Sequence, residues 1–411
     1  MVDLARDVDG MQLQSQRGLR DPTKAGAAYD AGAIAPAETT DRVASVDALR
    51  GLAIFFIIAG DALAWALHSL ASGMQGPARA ITGFFSKQLM HVDWEGFRFY
   101  DFLFPLFVFV TGISIVLSLP RLVERDGKWA AHARVLRRSF LLFVLGAIYY
   151  GGVSTLWPEI RLLGVLQRIA LCYLFASLLF LNLDLRGLIV AFVSLLVGYW
   201  ALMTFVPVPD IGAGSFAENA NLANWIDAQY LPGQLFYGEW DPEGLLSTLP
   251  AIASCLLGAF AGLLLKEASL EPAQKVLWFA VAGAILIVVG LLWGLQFPII
   301  KKIWTSSFVL VAGGCSALML GALYLLVDIW GRKRWATVFL WFGANAIALY
   351  MINNIADFKM LARRFVGGDV SNFLDAHVMS GMGALAIVAV AIALAIAVAG
   401  VLYQRKIFLR V

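Results

Sequence analysis

The sequence predicts an all-α polytopic membrane protein, with about ten transmembrane helices packed in one bundle. Hydrophobic residues make up 60% of the 411 residues and charged residues only 14%, whereas a soluble domain is roughly half apolar and about a quarter charged. The mean hydropathy is +0.78. Apolar runs of about 20 residues, the length that a helix needs to cross a bilayer, occur at 52–71, 101–119, 139–157, 163–183, 187–206, 246–265, 276–296, 307–328, 336–356 and 379–402.

The first 41 residues differ from the rest of the chain. They are rich in Ala, Gly, Asp and Gln and show no apolar periodicity, which is typical of a disordered segment. No apolar core precedes a small-residue cleavage site there, so we do not interpret the segment as a signal peptide. We expect a disordered cytoplasmic tail at 1–41 and a transmembrane domain at 42–411. The stretch 77–90 is too short to span and predicts an interfacial helix.

The distribution of Lys and Arg predicts how the spans are oriented. The loop 120–138 is basic, whereas the long loop 207–245 has no Lys or Arg. Cytoplasmic loops carry the excess of basic residues, so both termini are expected in the cytoplasm and His91 on the outer face. In a Gram-negative host this would be the periplasmic face of the inner membrane. The basic residues of the first loop are Arg121, Arg125, Lys128, Arg134, Arg137 and Arg138.

Several functional classes receive no support from the composition. The net charge of +3 is too small to indicate nucleic-acid binding. The three cysteines lie inside apolar runs, where they are typical of small buried hydrophobes and not of disulfides. The four scattered histidines give no zinc-binding spacing. We therefore expect no metal and no nucleic acid.

The stretch from Gln88 to Gly112 has the densest combination of ionisable and aromatic groups. His91 and Asp101 flank Trp94 and Arg98 immediately before an apolar run. Charge is costly at the mouth of a membrane span and usually has a function there. The alternative is a polar interfacial collar in which Trp94 belongs to an aromatic belt. Both interpretations remain open from the sequence alone.

Two further polar positions lie inside predicted spans. Asp61 is near the middle of the first span, where a carboxylate needs a partner or water. It is predicted either to be functional or to pair structurally with Arg168. Gln167 and Arg168 lie only a few residues inside their helix, so Arg168 could also reach the surface along its stem.

Three outer or intramembrane polar groups have both structural and functional interpretations. Asp241 is predicted as the N-cap of the sixth span, with Pro242 as its first residue and Glu243 favourable to the helix dipole. A cap at a cavity mouth could also bind substrate. Asn345 is typical of an amide that joins helices, and Lys302 belongs to a polar group on the outer side.

Five motifs occur in an order that resembles a known family. They are Asp47-Ala48-Leu49-Arg50-Gly51, His91-x-x-Trp94-x-Gly96 followed by Asp101-Phe102-Leu103-Phe104-Pro105, Gly164-Val165-Leu166-Gln167-Arg168, Asp241-Pro242-Glu243-Gly244, and Phe297-Pro298 with Lys302-x-Trp304. Over residues 42–356 the chain resembles the heparan-alpha-glucosaminide N-acetyltransferase family of transmembrane acyltransferases. The resemblance is closer to its bacterial branch, which is associated with N-acetylglucosamine utilisation.

The resemblance implies transfer of an acetyl group from cytosolic acetyl-CoA to the amine of glucosamine or a terminal glucosaminide. It implies that His91 is the active-site histidine. A family asparagine falls nearest to Asp61, where this sequence differs. We expect substrate contacts from Asp47, Arg50, Trp94, Asp241, Glu243 and Lys302 of these motifs and from Asn345, and acetyl-CoA contacts from Gln167 and Arg168 and from the basic-loop residues Arg137 and Arg138. The alternative for the basic-loop arginines is that they only set the orientation of the spans in the membrane.

The chemistry of the residues is compatible with this reaction. An imidazole can take the proton of an attacking amine near neutral pH, or His91 could carry the acetyl group itself. Asp101 or Asp61 could orient the ring. The alternatives are an amino-sugar transporter that uses Asp61 for proton coupling, and transfer to a lipid or cell-wall polymer. The lipid bilayer is an expected partner, and a homodimer is left open.

Overall fold

The computed structural model describes residues 43–154 and 156–409. Within them the chain forms fourteen α-helices and a small two-stranded hairpin. The disordered tail predicted at 1–41 lies outside the described residues. The apolar runs of the sequence correspond closely to the long helices. Backbone groups in lipid must form their hydrogen bonds within one segment, so an apolar run of this length becomes a helix.

The helices and strands follow one another in a simple order along the chain. Their bounds are α1 Ala44–Ser72, α2 Gly76–Gln88, α3 Leu103–Tyr149, α4 Val165–Asn182, α5 Leu185–Phe205, β1 Phe216–Ala217, β2 Ala220–Asn221, α6 Leu222–Tyr230, α7 Thr248–Lys266, α8 Pro272–Gly294, α9 Ser306–Leu323, α10 Thr337–Ala344, α11 Ala346–Ala356, α12 Phe358–Val366, α13 Asp369–His377 and α14 Met382–Gln404. A π-helical turn at Tyr324–Ile329 extends α9.

The number of membrane-spanning helices agrees with the sequence. Among the described residues eight helices are long and apolar enough to cross a membrane, or up to nine when the bent pair α10 and α11 is included. The long α3 contains Gly127 with φ of +85°, a left-handed conformation that separates two helical halves. Counting those halves separately gives about ten spans, as predicted. The protein is therefore a multi-pass membrane protein.

The loops after α2, α5 and α8 fold together into a cap at one end of the bundle. Glu95 pairs with Ile300 through an antiparallel bridge, and the indole nitrogen of Trp94 donates to the carbonyl of Phe216 at 3.0 Å. These contacts join the loop after α2, the long loop after α5 and the loop after α8. A separate apolar cluster that includes Tyr199 and Phe297 lies beneath them. The cap fixes the loop that carries His91.

Close contacts between backbones position the helices below the cap. A Cβ atom on Gly112 of α3 would collide with the carbonyl of Cys255, and one on Gly258 of α7 would collide with the carbonyl of Phe109. Small residues of this kind let membrane helices approach closely. The first part of α3, from Leu103 to Val116, is accordingly almost fully buried between its neighbours. It therefore gives rigid support to the loop that precedes it.

The ninth predicted span is not one straight helix. It breaks at Asn345, where α10 and α11 meet at an angle of 83°. Asn345 is buried, and neither its amide nitrogen nor its amide oxygen has a hydrogen-bond partner among the described residues. The break turns α11 across the bundle, so that Tyr350 reaches the cavity described below.

Candidate active site

A cavity of about 290 Å³ lies beneath the cap. The cap, the starts of α3 and α4 and the middle of α1 and α11 supply its walls, so it is built from segments far apart in the sequence. Its polar groups are His91, Tyr100, Tyr150, Arg161, Tyr237, Glu243, Lys301, Lys302 and Tyr350, and its apolar wall includes Ile57, Leu103, Phe104, Val165, Phe236 and Trp304. We call it the His91 cavity.

The loop that presents His91 is folded around the carboxylate of Asp101. The Oδ2 atom of Asp101 accepts hydrogen bonds from the backbone nitrogens of Val92, at 3.3 Å, and Arg98, at 3.0 Å. Asp101 itself lies in a 3₁₀ turn at Phe99–Phe102 and is only 1% exposed. Gly96, with φ of +129°, permits the reversal between the two ends of the loop. A buried carboxylate therefore fixes the loop conformation.

The second oxygen of Asp101 contacts the imidazole. His91 Nδ1 lies 2.8 Å from Asp101 Oδ1, and a carboxylate can only accept, so Nδ1 carries the proton. The guanidinium of Arg98 donates to the carbonyl of His91 at 3.0 Å. The side chain of His91 is 47% exposed and lines the cavity, and with Nδ1 protonated the lone pair of the neutral ring is on Nε2. This is the arrangement of a histidine base oriented by an acid.

Lys301 lies against the same imidazole. Its Nζ is 2.9 Å from Nδ1 and 3.1 Å from Nε2 of His91, and 3.8 Å from Asp101 Oδ1. Burial lowers the pKa of Lys301 to about 8, against the opposing effect of the carboxylates of Asp101 and Glu243. A lysine in this position can hold a proton at Nε2 or release it near neutral pH.

A buried ion cluster forms the opposite wall. Arg161 donates to both oxygens of Asp241, at 2.8 and 2.7 Å, and to Glu243 at 2.7 Å. Its guanidinium also lies 4.5 Å from the ring of Tyr150 and 4.7 Å from that of Phe236. Burial opposes the charge of Arg161, but the two carboxylates hold its pKa above the ordinary value. Burial is the main cause that raises the pKa of Glu243, and repulsion from Asp241 raises it further.

The predicted helix cap at Asp241 was wrong. Helix α7 begins at Thr248 and not at Pro242, and Asp241 uses its carboxylate to bind Arg161 instead. The turn after Asp241 is fixed from two sides. Asp227 accepts from the backbone nitrogen of Leu245 at 2.8 Å, and burial raises its pKa to about 7. Asp241 still accepts from the backbone nitrogen of Glu243 at 3.0 Å, but no helix follows, and the same carboxylate pairs with Arg161 because a buried arginine must be paired.

Lys302 and Trp94 belong to an aromatic group beside the cavity. The ammonium of Lys302 lies 4.6 Å from the ring centre of Tyr237 and 5.8 Å from that of Trp94, distances at which a cation is attracted to a ring face. Tyr237 stacks on Trp240 at 4.5 Å. Trp94 packs within the cap and donates to the carbonyl of Phe216. It is therefore a structural part of the cap, in contrast to the side chain of an aromatic belt that faces only lipid headgroups.

Arg168 and Gln167 are buried behind the cavity wall. Arg168 is 0% exposed, so its side chain does not reach the surface, and it has no ion pair with Asp61. It donates to the carbonyl of Gly244 at 3.1 Å and to Ser247 at 2.6 Å, and it lies over Trp304. Gln167 packs against Gly146. Neither lines the cavity, and Arg168 supports the turn that carries Glu243.

The structure separates Asp61 from the imidazole. Asp61 lines a different cavity and interacts with the phenol of Tyr100. The Tyr100 ring lies 4.6 Å from that of His91, so it stands between the two. Of the two carboxylates proposed to orient the ring, Asp101 therefore makes the contact.

Five other predicted site residues do not line the His91 cavity. Asp47 and Arg50 pair with each other at 3.0 Å, about 10 to 15 Å from Ile57 toward the start of α1 at 1.5 Å per residue, and Arg50 donates to Ser114 at 2.7 Å. Asn345 lies at the α10–α11 break. Arg137 is exposed on α3, and Arg138 lies 4.6 Å from the ring of Tyr173.

Sequence reasoning missed Lys301, Arg161 and Tyr350 as cavity residues. Arg161 had a usable signal, because it is a basic residue in a predicted outer loop, where such residues are scarce. Lys301 directly precedes the singled-out Lys302. Tyr350 had no signal, since its place depends on the broken helix. Among the described residues no group of His, Cys, Asp or Glu is suited to hold a metal ion.

Comparisons with known proteins agree with this architecture. A family model described as an acyltransferase domain matches residues 43–403. The heparan-alpha-glucosaminide N-acetyltransferase of Homo sapiens is 27% identical over 317 residues, which cover 64% of this chain and 48% of the human protein. That of Mus musculus is 25% identical over 377 residues, covering 78% of this chain and 56% of the mouse protein. The chain thus spans about half the length of these relatives. The resemblance to the family is confirmed, whereas the closer likeness to its bacterial branch stays a prediction.

Proposed function

The chain belongs to the acyltransferase-domain family, and from that premise we propose that it transfers an acetyl group from acetyl-CoA to the amine of glucosamine or of a terminal glucosaminide. The observation that carries the proposal is the pairing of His91 with Asp101 at 2.8 Å in an outer cavity. The curated relatives that match the chain are N-acetyltransferases by name. The donor, the acceptor and the face of the membrane are parts of the proposal.

His91 has the geometry of a general base. Asp101 holds Nδ1–H, which leaves Nε2 to take the proton of an ammonium acceptor or of its attacking amine. The neutral amine then forms a C–N bond to the thioester carbonyl, the C–S bond breaks, and the thiolate of CoA leaves and takes a proton. Lys301, with Nζ 3.1 Å from Nε2, can donate to the developing oxyanion.

A covalent route uses the same atoms. Nε2 attacks the thioester, CoA leaves as the thiolate, and the acetyl-imidazole passes its acetyl group to the amine. Both routes consume one thioester and one amine and give one amide and one CoA thiol, with the proton of the amine ending on the thiol. One further proton is released when the acceptor starts as its ammonium form. The routes differ in whether a labelled protein can be isolated when no acceptor is present.

The acceptor class is supported by the cavity walls. Glu243 supplies a carboxylate for an ammonium group, Tyr150 and Tyr237 supply hydroxyl and ring contacts for a sugar, and Arg161 holds Glu243 in place. Sugar-binding sites often combine such planar rings with charged groups. Asp241, Trp94 and Lys302 would contribute by fixing this wall.

The donor is proposed to arrive from the cytoplasm. A gap of about 20 Å³ lies between α1, α3, α4 and α11, and it shares Ile57, Phe104, Val165 and Tyr350 with the His91 cavity. An opening of this gap would admit the acyl end of the donor. Arg137 and Arg138 on the basic segment of α3 would bind phosphates. This scheme requires both termini in the cytoplasm of a bacterial inner membrane, as the basic loops predict.

The proposal is tested with purified protein and radiolabelled acetyl-CoA, with and without glucosamine. We expect labelled N-acetylglucosamine only when both substrates are present, and a rise in melting temperature with acetyl-CoA alone. Label on the protein in the absence of glucosamine would select the covalent route. Sugar accumulation in vesicles that lack any acyl-CoA, with no product formed, would instead identify a transporter and contradict the proposal.

A further inference from the structure

A second cavity, of about 220 Å³, lies between α1, α11, α12 and α14. It shares no lining residue with the His91 cavity, and the Tyr100 side chain stands between Asp61 on its wall and His91. We call it the Asp61 cavity. None of the steps proposed above uses it.

Its charged lining residues are Asp61 on α1, and Asp357 and Lys359 at the start of α12, with Asn353 of α11 as a further polar group. Asp61 is exposed, and the Asp357 carboxylate accepts from the backbone of its own helix. Within the part of the chain that the structure describes, no ion pair joins Asp61 to Lys359. The ammonium of Lys359 lies 4.9 Å from the ring of Trp65. Asp61 interacts with the Tyr100 phenol but has no cationic partner among the described residues. A carboxylate without a counter-charge inside a membrane span is costly, so a cationic group of a ligand would stabilise it.

The rest of the cavity wall is apolar. Phe55, Ile58, Phe342, Val388 and Ala391 contribute hydrocarbon surface from three helices, and Ile392 and Ala395 continue it along α14. This wall follows α14 away from Asp61 for about two turns, which is roughly 10 Å at 1.5 Å per residue. A polyhydroxylated sugar would lose its hydration against such a wall, whereas a hydrocarbon chain would not.

The helix that carries Lys359 lies at the polar end. Helix α12, Phe358–Val366, has Phe358 and Ala362 buried and Arg363 and Arg364 exposed. A short helix with one apolar and one basic face lies in the plane of the membrane interface. Lys359 is therefore at the depth of lipid phosphates, where basic residues attract anionic groups. Asp357 caps this helix by accepting from the backbone nitrogen of Met360 at 3.0 Å.

We propose that the Asp61 cavity binds a phospholipid with a primary ammonium headgroup. The ammonium pairs with Asp61, the phosphate with Lys359, and one acyl chain lies along Val388, Ala391 and Ala395. The match rests on three complementary features in one cavity: a carboxylate without a cationic partner among the described residues, a separate ammonium and an apolar groove. A choline headgroup carries the same charge but cannot donate hydrogen bonds to Asp61.

The headgroup series tests this with the unaltered protein. Detergent-purified, delipidated full-length protein is mixed with defined phospholipids of equal chain length, and retained lipid is counted by native mass spectrometry. We expect phosphatidylethanolamine to be retained at least fivefold more than phosphatidylcholine, phosphatidylglycerol or N-acetylated phosphatidylethanolamine. Glycerophosphoethanolamine, which lacks chains, should bind much more weakly. Equal retention of all the lipids, or full retention of the chain-free headgroup, would overturn the proposal.

Variants locate the lipid within the protein. Asp61→Asn and Lys359→Gln should each lower phosphatidylethanolamine retention several-fold, and Ala391→Phe should fill the chain groove and abolish it. The matched controls are Arg364→Gln on the exposed face of α12 and Val281→Phe on the exposed face of α8, which should retain the lipid. Melting temperatures identify any misfolded variant. Unchanged retention in folded Asp61→Asn and Ala391→Phe would refute the site.

Discussion

The His91 cavity and the Asp61 cavity contain the same kinds of groups in opposite arrangements. Each has a lysine and an aromatic ring on its wall and an aspartate, which lines the Asp61 cavity but is buried behind His91 in the other. Their volumes are about 290 and 220 Å³. In the first, Asp101 lies 2.8 Å from His91 and Lys301 lies 3.1 Å from its Nε2. In the second, Asp61 and Lys359 face a common space without an ion pair between them.

The difference indicates two ways in which a membrane protein uses charge. Groups that the protein has already paired keep a fixed geometry, which is what a proton-transfer step requires. Groups that remain apart in a low-dielectric region leave a favourable interaction for a ligand to complete. Substitutions in the His91 cavity should therefore affect turnover and folding, whereas those in the Asp61 cavity should affect occupancy.

The largest effect is expected for His91→Ala. Removal of the base should lower acetyl transfer by about 10³-fold or more, because general acid–base catalysis alone contributes about 10²- to 10⁴-fold. Initial rates with labelled acetyl-CoA provide the measurement. His377→Ala, on an exposed outer helix, removes a second histidine and should leave the rate unchanged. Transfer at the wild-type rate in folded His91→Ala would exclude His91 as the catalytic residue.

The next largest effect concerns the buried ion cluster. Arg161→Met leaves Asp241 and Glu243 buried without their cation, so the free energy of unfolding should fall by about 3–5 kcal/mol. Chemical denaturation in detergent measures this value.

The exposed pair of Arg125 and Asp126 supplies the control. Arg125→Met should leave stability unchanged within error, since surface ion pairs contribute little. The triple variant with Asp241→Asn and Glu243→Gln added to Arg161→Met should recover part of the loss. Equal effects of Arg161→Met and Arg125→Met would mean that the outer wall does not depend on its ion cluster.

A smaller effect on turnover is expected for Asp101→Asn. An amide facing Nδ1 can donate to it, which favours the tautomer with the proton on Nε2 and removes the catalytic lone pair. We expect kcat to fall by about 10²-fold, while KM changes little. The replacement also keeps one oxygen for the backbone nitrogens of Val92 and Arg98, so the fold should persist. A large KM change with unchanged kcat would assign Asp101 to substrate binding.

The smallest effect is a pH dependence of stability at Lys301. Its pKa in the folded protein is about 8, below the value near 10.4 of a free lysine. Between these values the unfolded chain binds more protons than the folded one, so stability rises with pH. Wild type should therefore gain stability relative to Lys301→Met from about pH 8 to 10. Lys301→Arg keeps its charge and should show no such gain, and parallel melting curves for all three would contradict the assigned pKa.

The sequence predicted the spans well and the loop contacts poorly. Apolar runs identify transmembrane helices because backbone groups in lipid must be satisfied within one segment, and α4, α5, α7 and α14 all begin within a few residues of their predicted starts. Asp241 failed as a predicted cap because its partner, Arg161, is separated from it by 80 residues. No local pattern contains that information.

The candidate site shows the same division. Local spacing sufficed to single out His91 and Asp101, since both lie in one loop and one carboxylate folds that loop. Lys301 lies at the site because the cap folds there, and Tyr350 because α10 and α11 are bent. Asp61 does not contact His91, since the Tyr100 side chain lies between them.

The sequence by itself determined that the chain is a membrane-spanning helical bundle with a histidine and an acid in the loop before one of its spans. It did so because hydrophobic length and near-neighbour spacing are local properties. Only the tertiary structure decided which charges meet, because pairing in a low-dielectric interior depends on contacts between segments that the chain order does not specify. It therefore joined Arg161 to Asp241 and Glu243, and it placed Asp61 and Lys359 around a cavity of their own.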